Sequence, residues 1–598
     1  MDNQNKNLLL ATALSFAVIL VWFALFPPPD AVSTEMERAI AEDSLTAPTS
    51  ERQSVTTGTV GQEPSAPTDD VRRLPIDTAR LTGTLSITGA VLDDLRLKDY
   101  FETIEEGSDT VHILRTVGEL DPYYSLFGWI PVSGTSTNEV PNALTDWTVV
   151  SGTVLSENSP VTLQWQSPGG LTYNRTISID DTFMFSIVQT VENNGDATVV
   201  LRPFGMVARH GEPSDLKNFF VLHEGAMVMA DGELTEIDYG DIEDYDIDRT
   251  ERARAKIFSV NANGWTGFTD HYWMTLLVPE PGQPFTAVAS YDDRSAIYRT
   301  KSEYVDKTLA PGDRASFQTG LYAGAKEWEA ISDYQAQGVD RLTDSIDWGW
   351  FFFLTKYIFI ALHWLNGVIG NMGIAIIVLT LGIKAILFPL AYRSYASMAK
   401  MKELQPEMEK LKERVGDDRQ KLQKEMMELY KKEKVNPASG CLPILLQIPI
   451  FFSLYKVIFV TLDLRHAPFF GPFQDLSAPD PTSIFNIFGL FPWAAPAPES
   501  IMSLIFIGIL PLLLGISMWL QQKLNPAPTD PTQAMIFNWL PWVFMFMLGG
   551  FASGLVVYWI ANNVITFTQQ YLIMRSQGFK PDVFGNILSS FNRSKAEK

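Results

Sequence analysis

Lys384 is the one full charge in the run NMGIAIIVLTLGIKAILFPLAY, Asn371 to Tyr392. That run is long and apolar enough to cross a bilayer as a helix. A cation at such a depth costs roughly 2.5–3.5 kcal/mol on insertion scales, so it faces a partner or water, or its head reaches the interface along its own stem. Its chemistry would be attraction of carboxylates. Neutral polar side chains recur in other apolar runs: Thr380, Gln447, Asn562 and Asn563. Singly each reads as interhelical glue. Together with a cation they fit a hydrated groove among helices. No apolar run carries an acid to pair with Lys384, and an unpaired cation is tolerable only where water reaches it. A second lysine, Lys456, lies in the last third of its run, where snorkelling to the outer interface is the simpler reading.

Other chemistries find no support. There is no P-loop, GxGxxG fingerprint or metal-ligand cluster, and no cofactor is expected. The acidic run Asp241 to Asp248 has Arg249 where a calcium loop needs glycine, and Ala255 where it needs its last carboxylate. It reads as a solvated loop. The one cysteine, Cys441, permits no intrachain disulfide and reads as a small buried residue.

The elements that must position these residues divide by charge. Asp30 to Asp347 carries 52 acidic and 23 basic residues, a net of −29, against −23 for the whole chain. The remainder is therefore weakly basic and holds almost all the long apolar runs. This is the pattern of a membrane protein with a large acidic, water-exposed domain, which argues against nucleic acid as a direct partner.

In chain order, residues 1–29 read as an uncleaved transmembrane anchor, and 30–79, rich in Pro, Ser, Thr and acids, as a flexible linker. Residues 80–345 show period-two alternation, as in Val161–Trp165, Thr172–Ile179 and Phe183–Val191. Turn signals such as Pro168-Gly169-Gly170, Pro281-Gly282 and Pro311-Gly312-Asp313 punctuate them, which predicts an all-β sandwich. Residues 346–370 place Lys356, His363 and Asn366 on one helical face and open with four aromatics. They predict an amphipathic helix lying on the outer surface, because a span there would put the basic segment after Tyr392 on the side of the acidic domain.

Spans are expected at 371–392, 437–462, 501–522 and, as a tight hairpin, 535–574. With the anchor these make six, and both termini lie in the cytoplasm. Residues 463–500 form an outer loop, 523–534 a cytoplasmic loop and 575–598 a cytoplasmic tail. Residues 393–436 hold twelve Lys or Arg against nine Asp or Glu. Met401, Leu404, Met408, Leu411 and Val415 step by three and four up to the turn Gly416-Asp417-Asp418, and Leu422, Met426 and Leu429 continue the rhythm. This predicts a cytoplasmic helical hairpin whose basic balance suits a ribosome or anionic lipid.

The segments SMAKMKELQPEMEKLKERVGDD, EKVNPASGCLPILLQIPIFFSLY and FASGLVVYWIANNVITFTQQYLI, in that order and spacing, resemble the Oxa/Alb/YidC family of membrane protein insertases. The likeness runs from about Trp348 to Met574. The N-terminal anchor and large acidic domain are similar to the Gram-negative form. The resemblance implies a non-enzymatic insertase and chaperone of the bacterial inner membrane. Its substrates would be nascent membrane proteins, and the Sec translocon, the ribosome and membrane lipids its partners. It also implies a periplasmic β-supersandwich and a five-helix core with a hydrophilic groove open to cytoplasm and lipid. Groove positions of the family fall on Thr380, Lys384, Gln447, Tyr558, Trp559 and Asn562, and a cytoplasmic contact arm on Met401, Leu404, Met408, Leu411, Gly416 and Asp417. Lys384 stands where the family usually has Arg, and Trp559 where Tyr is common. Two rivals fare worse. An ion-coupled transporter predicts repeated halves that are not found, and an anchored carbohydrate-acting enzyme would not need so many polar-lined spans.

Overall fold

The computed structural model describes residues 72–579 except 217–221, 417, 434–441, 489, 492, 494–495, 497–499, 501, 503–504 and 526–530. The expected anchor, most of the linker, Cys441, Asp417 and most of the C-terminal tail lie outside the described residues.

Alternating sequence becomes antiparallel sheet. An eleven-stranded sheet is built around Val199–His210, which pairs with Tyr123–Ser133 on one side and Ile297–Tyr304 on the other. A nine-stranded sheet is built around Arg314–Ala325, between Trp273–Pro279 and Met184–Asn193. The three sampled strands lie at Val161–Gln166, Leu171–Ile179 and Met184–Asn193. In Leu171–Ile179 every second residue from Leu171 is buried, as one core-facing side of a strand requires. Gly170, Gly282 and Gly312 take positive φ in the turns that their sequence signals mark. The acidic run begins in a short helix, α1 (Tyr239–Glu243), and ends in the edge strand Ile247–Asp248, and α2 (Trp328–Ala336) follows the last strand.

The described residues after α2 are mainly helical: α3 (Phe352–Ile369), α4 (Met372–Ile386), α5 (Phe388–Glu403), α6 (Gln405–Val415), α7 (Arg419–Lys432), α8 (Leu442–Val460), α9 (Ile509–Leu524), α10 (Pro531–Met547) and α11 (Ser553–Ser576). The connection between α8 and α9 is largely irregular. Among the described residues only α3 is by itself long and apolar enough to span a membrane; α4 with α5 qualifies as a bent pair. α11 packs on α4, α5 and α9, and α8 packs on α3.

Several boundaries differ from expectation. The β domain opens inside the expected linker, because Arg73–Asp77 is a strand paired with Leu81–Ser86. The helix expected from Met535 already starts at Pro531, a residue suited to a first helical turn. The run Asn371–Tyr392 is not one straight helix: α4 ends at Ile386 and the chain turns by 70° into α5. Pro389 in the first turn of α5 lacks the N–H that would continue the ladder and crowds the preceding turn. The hairpin's first helix is likewise broken. Pro406 starts α6, so Met401 belongs to α5 and Leu404 is the junction residue. The helix expected from Ile501 starts at Ile509, where Thr482 Oγ1 accepts from the Ile509 N–H at 2.9 Å and the Asp480 carboxylate from that of Leu510 at 2.7 Å. An acid at a helix N-terminus satisfies orphan donors and complements the dipole.

Candidate functional site

Lys384 lies in the last turn of α4 and is half-buried. Its ammonium donates to Gln447 Oε1 of α8 at 2.8 Å and to Thr566 Oγ1 of α11 at 3.0 Å. With its oxygen so used, the Gln447 amide nitrogen points to the Tyr558 hydroxyl at 3.3 Å and to Asn562 Oδ1 at 3.0 Å. The Thr566 hydroxyl in turn donates to the Asn562 carbonyl at 2.6 Å. Three helices thus meet on one cation through neutral dipoles, and no carboxylate among the described residues pairs with it. Tyr558, Asn562 and Thr566 are spaced four apart on α11 and so share a face. Thr566 escaped the sequence reading, though its spacing from Asn562 would have found it.

The other expected groove residues sit around this cluster without joining its hydrogen bonds. Thr380 is buried one turn before Lys384, and its hydroxyl is taken by the Ile376 carbonyl of its own helix at 2.7 Å. Trp559 packs between Phe451 and Phe544, with ring centroids 4.8 and 5.9 Å away. Asn563 turns the other way, donating to Ser517 Oγ of α9 at 3.0 Å, and acts as interhelical glue.

Lys456 corrects an expectation. It does not snorkel: only 6 % exposed, it forms an ion pair with Asp347, from the segment that joins the β domain to α3. The sequence placed it near a helix end but could not show that a carboxylate from a preceding domain would meet it there. The polar face of α3 likewise turns inward. Lys356 donates to Thr343 Oγ1 at 2.9 Å, and His363 lies 2.6 Å from both Glu329 of α2 and Asp463. Phe353, Tyr357, Ile360, Trp364 and Val368, at steps of three and four, are left exposed opposite the buried Thr355, Ile358, Phe359 and Leu362.

Two residues of the expected contact arm carry its fold. Met408 is buried, and its sulfur meets the Tyr430 hydroxyl at 3.5 Å, while Arg414 pairs with Glu425 at 2.7 Å. Partner numbers that rise as the others fall mark α6 and α7 as antiparallel. Gly416, at φ +65, makes the turn between them. Leu404 and Leu411 are half-buried beside this seam, and Met401 lies on α5.

Comparison with known proteins agrees with this division. The family model for the YidC periplasmic domain matches residues 73–361, and that for the 60Kd inner membrane protein matches 364–580. The membrane protein insertase YidC of Dinoroseobacter shibae is 61% identical over 603 residues, covering 100% of this chain and 99% of that protein. The YidC of Roseobacter denitrificans is 62% identical over 599 residues, covering 99% of each. A crystal structure of an active YidC insertase, 16% identical, covers 85% of this chain and 94% of its own, with a TM-score of 0.34. With both family models matched and relatives alike over the full length, the chain belongs to the YidC family of membrane protein insertases.

Proposed function

We propose that this chain inserts and helps fold membrane proteins in the bacterial inner membrane, and that the Lys384 cluster is the polar floor of its substrate groove. The observation that carries this is a helix-borne cation held by Gln447 and Thr566 instead of a carboxylate. A buried charge is normally paired. One that meets only dipoles stays available to a carboxylate arriving on a substrate. A nascent segment must take polar backbone and charges across a medium that cannot solvate them. A groove with a cation at its floor shortens that passage for an acidic tail. The apolar sides of α8 and α10 offer the emerging span a route to lipid, and its hydrophobic transfer supplies the driving force.

In this reading the N-terminal anchor, α4, α8, α9, α10 and α11 are the six spans, and α3 lies on the periplasmic interface. Its polar face is docked on the β domain and its apolar stripe is left for lipid. The β domain is periplasmic, and α6 and α7 are the cytoplasmic arm. The arm's basic balance suits ribosome or anionic lipid, and nascent spans and the Sec translocon are the remaining partners.

The test is reconstituted insertion of paired substrates that differ only in the charge of the translocated tail. Lys384→Ala should slow the acidic-tailed member and largely spare the neutral one, and Lys384→Arg should keep both. Equal wild-type rates for both substrates in the alanine variant would sink the groove-cation role. Topology is checked by cysteine labelling at Gly416 with Cys441 replaced: periplasmic labelling would overturn the arm's placement.

A further inference from the structure

We infer that the Asp347–Lys456 pair is a positioning device for the groove: the periplasmic β domain holds α8 at its outer end and thereby sets where Gln447 meets Lys384. This rests on the groove reading above.

The Asp347 carboxylate is used on every side. Its Oδ1 accepts from the Gly349 N–H at 3.0 Å, and its Oδ2 accepts from the His223 N–H at 2.9 Å and pairs with Lys456. Gly349 supplies the left-handed backbone of this turn, with φ +66, and lies against the Lys456 stem. Trp348 between them is buried, its indole N–H bound to the Thr343 carbonyl at 2.9 Å.

One turn further along the same face of α8, His271 Nε2 of the β domain lies 2.7 Å from the Phe459 carbonyl. That carbonyl is among the last four of the helix, which find no partner within it. The His271 ring also stacks on Phe459 at 4.9 Å. The domain therefore grips α8 at two points three residues apart, which fixes both its rotation and its height.

Lys456 and Gln447 are nine residues apart on one helix, about 13 Å. Between them stands Pro449, which removes a ladder hydrogen bond and favours bending. A helix weakened there does not hold its own line, so packing must. Tyr455, next to Lys456, stacks on Phe451 at 6.2 Å. Phe451 contacts Tyr558 at 6.3 Å and Trp559 at 4.8 Å, and Tyr558 accepts from Gln447. Packed side chains thus run without a gap from the anchored turn to the cluster that holds Lys384.

The experiment uses the full chain in proteoliposomes and the paired substrates described above, with Lys384→Ala alongside. Lys456→Met should slow the acidic-tailed substrate about fivefold more than the neutral one, the scale of a modest coupling between sites. Lys456→Arg should keep the wild-type ratio. The double variant Asp347→Asn/Lys456→Met decides between positioning and mere support. It removes both charges of the pair together, so thermal stability should return toward wild type, while the acidic-tail defect should persist. Recovery of both together would overturn the inference, as would an unchanged tail ratio in a double variant of native stability. If Lys384→Ala itself shows no tail selectivity, the groove reading has failed. If it does and the double variant does not, only the anchor has.

Discussion

Two lysines in the helical half of this protein, Lys456 buried and Lys384 half-buried, serve different ends. Lys456 meets the Asp347 carboxylate, which is itself tied to two backbone N–H groups, at the junction with the β domain. Lys384 meets the oxygens of Gln447 and Thr566 in the middle of the helical bundle. The first arrangement neutralises its charge and fixes three chain segments to one another. The second solvates its charge without cancelling it. A protein that only needed its helices held together would use the first everywhere, since an unpaired buried cation is costly. The difference separates support from function within one residue type.

The largest expected effect strikes the paired lysine. Asp347→Ala removes the carboxylate that pairs with the buried Lys456 and should cost about 3–5 kcal/mol, read as a fall in the thermal unfolding midpoint of the full chain in detergent. A change no larger than that of Lys384→Ala would erase the distinction drawn above. The next strikes the solvated lysine. Lys384→Glu turns attraction into repulsion across a poorly screened gap and should slow acidic-tailed substrates about tenfold, equivalent to about 1.4 kcal/mol. Tails of neutral sequence should change less, and equal slowing of both kinds would point to damaged packing instead.

A smaller effect sharpens the junction. Gly349→Ala forces a side chain into positive φ beside the Lys456 stem, so the backbone strain should cost about 1 kcal/mol. Thermal unfolding should show it with insertion selectivity shifted in the direction of Lys456→Met. The smallest lies far from either lysine and serves as a control. Asp231 accepts the backbone N–H groups of Asn261, Ala262 and Asn263, which hold its carboxyl down at about 2. Its folded-state value is below the unfolded one, so its contribution is present above about pH 4 and is lost as pH falls toward 2. Asp231→Asn should flatten the acid limb of the stability profile in that window and leave both lysine phenotypes untouched.

The two regions were unequally legible. The β domain could be read as β because alternation and turn glycines are local signals: Leu171–Ile179 shows its buried face in its own sequence, and Gly170, Gly282 and Gly312 mark their turns. The α6–α7 seam was equally open to reading through its three-and-four spacing. Breaks were harder. Pro389 and Pro406 were visible as residues, but whether a proline kinks, starts or merely decorates a helix depends on what packs around it.

By itself the sequence determined that the chain has an acidic β-rich block and a basic apolar block, that Lys384 lies in an apolar run without an acid in the other such runs, and that Gln447 and Asn562 are polar where lipid would not tolerate them. These follow from composition and from periods of two and 3.6 residues, which no distant contact is needed to define. Only the tertiary structure decided which groups meet. It joined Lys384 to Gln447 and Thr566 across 63 and 182 residues of chain. It also gave Lys456 a carboxylate from the segment leading out of the β domain. Pairings over such separations are selected by the packing of whole helices against one another and against the sandwich, and that selection is not written in any single run of residues.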